Sequence, residues 1–254
     1  MQPGFRQRLR QCEPLLGTMV TLPSPATAEV LSEIGFDWLF VDAEHGALTI
    51  PDIQGILQAV GGKAACLVRV GSCNEAEIKR VLDVGAQGVI VPQVNSAEQA
   101  AEVVRYARYA PEGNRGVGLA RAHGYGFRFA EYVQSANEQI SVVVQAEHRL
   151  AVENIEEIVA VPGVDAVLLG PYDLSASYNK MGQIDDPEVI AAINRVTEVC
   201  RKAGMPLGYF GVTAEAVKPW QTQGYSLLVA GVDILYVGQG ARRMLKDLKT
   251  QTDT

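Results

Sequence analysis

The feature that most constrains this chain is its rhythm: eight short apolar runs, each followed by an amphipathic stretch, repeat from one end to the other. The runs cover 14–20, 37–42, 65–70, 87–92, 140–147, 165–170, 206–210 and 225–230. Helical patterns occupy 27–35, 51–62, 74–85, 96–109, 150–161, 187–204, 213–224 and 232–249, and several end in glycine, as helices commonly do. Runs that are apolar on both faces belong to a parallel sheet covered by helices. Eight strand-helix units in 254 residues fit one closed (β/α)8 TIM barrel spanning residues 1–254 better than an open doubly wound sheet. No G-x-G-x-x-G follows the first run, which weakens the dinucleotide-binding form of that alternative. The stretch 110–138 is too long for a simple connection and is rich in glycine, arginine and aromatics, so it is expected to form a lid or a subunit contact.

Composition narrows the function classes. A formal charge of -7 without a basic stripe excludes an ordinary nucleic-acid binder. No apolar segment approaches the roughly 18 residues of a membrane span, and the first residues lack the apolar core of a secretion signal, so a cytoplasmic protein is expected. Cys12, Cys66, Cys73 and Cys200 form no C-x-x-C pair and read as reduced thiols.

In a TIM barrel the reactive groups stand at the carboxyl ends of the strands. Asp42, Glu44 and His45 follow the second run, Arg69 closes the third, Gln145 and Glu147 close the fifth, and Asp173 follows the sixth in "GPYDLS". Glu147 and Asp173 end consecutive strands about 5 Å apart, so their carboxylates can share one hard cation, Mg²⁺ before Mn²⁺. The competing assignment for such acids is capping of the next helix. His45, flanked by acids at the same mouth, is a candidate general base. Arg69 reads either as a fixed cation beside a developing oxyanion or as one half of a structural ion pair. The turn opened by Gly170 and Pro171 offers the backbone N–H groups of Tyr172 and Asp173 to an anion. No lysine occupies a clear Schiff-base position at a strand end.

The motifs "FDWLFVDAEHGAL", "LVRV", "VLDVGAQGVIVPQV", "PEGNRGVG", "QAE", "ENIEEI" and "GPYDLS", in this order over roughly residues 14–245, closely resemble the HpcH/HpaI aldolases, the metal-dependent class II pyruvate aldolases. The resemblance implies a (β/α)8 barrel that reversibly cleaves 4-hydroxy-2-oxoacids to pyruvate and an aldehyde. It also implies a divalent cofactor, Mg²⁺ with Mn²⁺ or Co²⁺ as alternatives, held by Glu147 and Asp173. His45 becomes the base, Arg69 the group stabilising the transition state, and Gln145, Tyr172 and Asp173 the oxoacid-binding residues. Asp83 corresponds to the acid that raises the basicity of the histidine. Residue spacing alone, however, puts Asp83 before the fourth strand, at the opposite end of the barrel from His45. A neighbouring subunit would resolve that conflict, and Asp42 is the rival within the chain. The resemblance further implies a homohexamer, a trimer of dimers, with the last helix (232–249) swapped between subunits. His148 replaces a hydroxyl residue of the family pattern, and "KMGQI" (180–184) departs from the usual loop. Two other readings compete: an acyl-CoA lyase of the citramalyl- or malyl-CoA type, and a barrel that binds a metabolite without catalysis.

Overall fold

A computed structural model describes residues 4–250. Its strands are β1 (Leu15–Val20), β2 (Trp38–Asp42), β3 (Ala65–Arg69), β4 (Gly88–Val91), β5 (Ser141–Ala146), β6 (Ala166–Leu169), β7 (Leu207–Gly211) and β8 (Leu227–Val232). They pair in parallel in chain order and close between β8 and β1, as the eightfold rhythm predicts. The helices are α1 (Phe5–Arg10), α2 (Pro25–Ile34), α3 (Ile50–Val60), α4 (Glu75–Asp83), α5 (Ala97–Ala107), α6 (Phe129–Gln139), α7 (Arg149–Glu153), α8 (Ile155–Val159), α9 (Pro171–Ser177), α10 (Pro187–Ala203), α11 (Ala214–Thr222) and α12 (Asp233–Thr250). None of the described helices is long and apolar enough to cross a membrane.

Side chains along a strand alternate between faces, and here both faces are buried. One set, including Leu39, Val41, Val68 and Val142, packs outward beneath the helices. The other set, including Trp38, Phe40, Leu67, Val143, Leu168 and Val229, fills the barrel interior. Gly17 on β1 is required by this interior: a Cβ there would stand 2.6 Å from the indole of Trp38. The amino-terminal end of the barrel is closed by α1, whose Leu9 is fully buried in the inner cluster and whose Phe5 ring lies 6.2 Å from Trp38. This plug was not expected from the sequence, because a six-residue helix with two apolar side chains has little periodicity to read.

Three other expectations change. The helix expected over 150–161 is two helices, α7 and α8, broken where the Asn154 side chain leaves the helix to donate to the Asn95 carbonyl at 2.8 Å. The turn expected after β6 is the start of a further helix, α9, with Pro171 in its first turn. The stretch 110–138 contains a 3₁₀ segment (Arg121–Gly126) and α6, and it leaves Val117, Leu119, Tyr125 and Phe127 exposed. The last helix, α12, also keeps Leu235, Val237, Met244, Leu245 and Leu248 in solvent.

Candidate active site

The period-2 alternation that fills the barrel also builds its polar mouth. Trp38 and Phe40 point inward, so Asp42 two residues on continues the inward row at the carboxyl end of β2. The same count takes Ala65 and Leu67 to Arg69 on β3, and Val143 to Gln145 and Glu147 at the end of β5. Asp42 and Arg69 are paired in the β2–β3 register. Arg69 donates from Nε to Asp42 Oδ1 at 2.9 Å and from Nη2 to Asp42 Oδ2 at 2.7 Å, a planar two-point contact buried on both sides. Its Nη1 lies 3.1 Å from Glu44 Oε2, and the guanidinium rests 5.1 Å above the ring of Phe40. The structural and catalytic readings of Arg69 are therefore compatible, because five N–H groups leave donors beyond those taken by Asp42 and Glu44.

The abrupt glycine after "DAEH" has a steric cause. A Cβ on Gly46 would lie 2.2 Å from the Asp42 carbonyl oxygen, so only glycine allows the chain to fold back over the strand end. Asp42 Oδ1 accepts from the backbone N–H groups of Glu44 at 3.1 Å and His45 at 3.3 Å and fixes that turn. Asp42 is thus committed to Arg69 and the turn, whereas Glu44 is the carboxylate nearest the His45 ring, with Oε2 3.8 Å from Nε2. Burial raises the pKa of the Glu44 carboxyl, with Arg69 and His45 pulling the other way. The sequence placed Glu44 at this mouth without giving it a role; its closeness to both His45 and Arg69 is visible only in three dimensions.

Glu147 is 2% exposed. Its Oε1 accepts from the Gln93 backbone N–H at 2.9 Å, and Gln145 Nε2 donates to Oε2. Burial pushes the Glu147 carboxyl up to about 7, the Gln93 N–H opposes that rise, and the nearby Asp173 and Glu44 charges add to it. Gly170 makes room for this group, since a Cβ there would stand 2.6 Å from Glu147 Oε2 and 2.9 Å from Gln145 Nε2. Asp173 sits in the first turn of α9, with His45, Arg69 and Gln145 lining the same cavity of about 300 Å³. Met19, Phe40, Leu168 and Phe210 supply its apolar wall.

These residues fit a hard divalent cation. Two neighbouring carboxylates, one so buried that it is held up to about 7 despite Arg69 nearby, form a site in which a bound cation would favour the ionised forms. The buried Oε1 of Gln145, an acceptor without a partner, suits a site that also holds the waters of such an ion. Among the described residues no group of three or more His, Cys, Asp or Glu is placed to hold a metal, so the two carboxylates would leave most coordination positions to water and substrate.

Asp83 stands apart. It ends α4 before β4, and its Oδ1 accepts from Arg115 Nη2 at 2.7 Å, the guanidinium lying 4.6 Å from the centre of the Tyr109 ring. Within one chain it does not reach His45, because α4 runs back toward the amino-terminal end of the barrel. His148 caps α7, with Nδ1 accepting from the Leu150 N–H at 3.2 Å, a task that a serine or threonine hydroxyl commonly performs.

A (β/α)8 barrel with a carboxylate pair, an imidazole and a clamped guanidinium at the carboxyl ends of its strands defines a class of enzymes that act on small oxygenated acids. The HpcH/HpaI aldolase/citrate lyase family model matches residues 16–238, and the chain belongs to that family. It is 36% identical to a hydroxypyruvate/pyruvate aldolase of Paraburkholderia phytofirmans, with 97% of each chain covered. It is 38% identical to a 4-hydroxy-2-oxo-heptane-1,7-dioate aldolase of Klebsiella pneumoniae, covering 100% of this chain and 98% of the relative. A crystal structure of an HpcH/HpaI family protein from Burkholderia cenocepacia superimposes with a TM-score of 0.92 at 35% identity, covering 96% of this chain and 98% of that one. The protein is a carbon-carbon lyase with aldolase function. Its family is dependent on divalent metal.

Proposed function

We propose that the protein catalyses the reversible cleavage of a 4-hydroxy-2-oxoacid to pyruvate and an aldehyde. The observation that carries this reading is one cavity in which Asp173, His45, Arg69 and Gln145 meet, with Glu147 directly behind Gly170. Glu147 and Asp173 would hold the divalent ion, Mg²⁺ in preference to Mn²⁺ or Co²⁺, since both donors are hard carboxylates. When bound, the ion supplies Lewis acidity toward the 2-oxo group.

The remaining work falls to the chain's own groups. The first-turn amides of Tyr172 and Asp173, which have no partners within a helix, hold the oxoacid carboxylate together with Gln145. Cleavage of the C3–C4 bond places negative charge on the 2-oxo oxygen, and the Arg69 N–H groups not taken by Asp42 or Glu44 stabilise it. His45 takes the proton of the C4 hydroxyl, with Glu44 beside the ring to stabilise the imidazolium that forms. The aldehyde then leaves, C3 of the enolate takes a proton from solvent water to give pyruvate, and His45 returns its proton to solvent.

The assembly is proposed from the family resemblance, which implies a homohexamer built as a trimer of dimers with the last helix exchanged. The exposed apolar side chains of α12, uncovered by the described residues, support a second copy packing there. Asp83 would approach His45 from a neighbouring copy. The setting is cytoplasmic, and the partners are the oxoacid and the aldehyde.

A panel of 4-hydroxy-2-oxoacids, with pyruvate release as readout, tests the activity. Treatment with EDTA should abolish turnover and a divalent salt should restore it. Activity that survives thorough chelation, or a panel that yields no pyruvate, would refute the reading.

A further inference from the structure

The mouth is poor in cations, and this bears on the second product. Of the eight connections that leave the carboxyl ends of the strands, only the one after β6 contains a lysine or arginine, Lys180. Its Nζ is already bonded to Asp186 Oδ1 at 2.6 Å and Glu188 Oε2 at 2.9 Å. Arg149, which opens α7, lies beside Tyr178 and does not line the cavity. Among the described residues Arg69 is the one lysine or arginine lining the cavity, and it is clamped by Asp42 and Glu44. Acids, by contrast, gather at Asp42, Glu44, Glu147, Asp173 and Asp233.

The barrel order divides the mouth into two arcs. The polar groups stand on β2, β3, β5 and β6 and the loops that follow them. The arc from β7 through β8 to β1 presents Phe210, Met19 and, just past β1, Thr21 to the cavity. In that arc Asp233 is occupied by the Thr21 hydroxyl, at 2.7 Å, and by the backbone N–H groups of Thr21, at 3.0 Å, and Leu22, at 2.9 Å, so the hydroxyl this arc presents to the cavity is already committed to a carboxylate. A substrate whose oxoacid end lies on the polar arc must direct its other end toward this apolar one. An anionic group there would lose water and gain no cationic partner from the described residues of its own chain, while nearby carboxylates repel it. The cavity, about 300 Å³, is also at the small end of the range for ligand pockets, roughly 300–1,000 Å³.

We propose that the aldehyde this enzyme takes is short and uncharged, seated against Met19 and Phe210, and that aldehydes bearing a distal carboxylate or sulfonate are disfavoured. This rests on the aldolase reading above and narrows it. It also sets the chain apart from the Klebsiella relative, whose name specifies a dioate.

The test compares two aldehydes of equal carbon count, butanal and succinic semialdehyde, in condensation with pyruvate by the intact protein saturated with Mg²⁺. Butanal should show kcat/KM higher by about tenfold or more. Equal values, or a preference for succinic semialdehyde, overturn the proposal. Exchange of the pyruvate methyl protons with deuterated water, measured alongside, separates the two levels of the argument. Exchange without discrimination removes only the aldehyde assignment, whereas absence of exchange removes the aldolase reading and this inference with it. Phe210→Arg should shift the ratio toward succinic semialdehyde, and an unchanged ratio in a folded variant overturns the placement against Phe210. If that variant does not fold, the wild-type comparison decides.

Discussion

The buried carboxyl of Glu147 gives the metal assignment a thermodynamic consequence that needs no substrate. Burial holds it up to about 7 in the metal-free protein, against an ordinary value of 4.5. The folded state therefore binds this proton more tightly than the unfolded chain does. Stability from this group is fully present below about pH 4.5 and is lost as pH rises toward and through 7. At 1.36 kcal/mol per pH unit, the gap between the two values is worth about 3 kcal/mol. Glu147→Gln keeps an acceptor for the Gln93 N–H but cannot ionise, so it removes the pH-dependent part alone.

Urea unfolding of metal-free wild type and Glu147→Gln at pH 5 and pH 8 reads the effect of Glu147 together with its coupling to Asp173 and Glu44, because titrating groups remote from Glu147 are shared and cancel in the difference. From pH 5 to pH 8 the wild type should fall relative to the variant by up to about 3 kcal/mol. Saturating Mg²⁺ at pH 8 should restore the wild type and leave the variant little changed, since an ion that binds only the folded state stabilises it by mass action. Parallel pH profiles for the two proteins would refute the argument that a buried carboxylate waits for a cation there.

Three further substitutions probe the remaining groups. His45→Ala should lower kcat by about 10²-fold or more while Mg²⁺ affinity, measured by calorimetry, stays near the wild-type value, because the role proposed for the ring is proton removal and not metal binding. Arg69→Lys should cost about 3 kcal/mol in the barrier, read from kcat, since an ammonium cannot make the two-point contact with Asp42 and still present donors to the oxyanion. Gly170→Ala should weaken Mg²⁺ binding by an order of magnitude or more in calorimetry, its Cβ falling 2.6 Å from Glu147 Oε2.

The parts of this site that were legible in the sequence share one physical property: they follow from counting by two. Once 37–42, 65–70 and 140–147 are read as barrel strands, the inward row runs through Phe40 to Asp42, Leu67 to Arg69 and Val143 to Gln145 without reference to any distant residue. Boundaries blurred by a residue or two at each end did not disturb that parity. Local signals failed where the deciding partner lies far along the chain. Asn154 breaks the expected helix because Asn95 offers a carbonyl, and α1 exists because Trp38 and its neighbours need a cover. Neither partner is marked in the segment it reshapes.

The carboxylates around His45 make the same point at closer range. Asp42 and Glu44 are two residues apart and chemically alike, and spacing favoured Asp42 as the partner of the imidazole. The strand ends between them, so the alternation that aims Asp42 inward no longer governs Glu44. Arg69, held opposite Asp42 by the β2–β3 register, takes both oxygens of that carboxylate, and the turn around Gly46 leaves Glu44 beside the ring. Which acid lies beside the imidazole is therefore fixed by competition for a guanidinium on another strand. Asp83 marks the limit of such counting: its spacing put it before the fourth strand, away from His45, and the structure gives its carboxylate to Arg115, a partner 32 residues further along the chain.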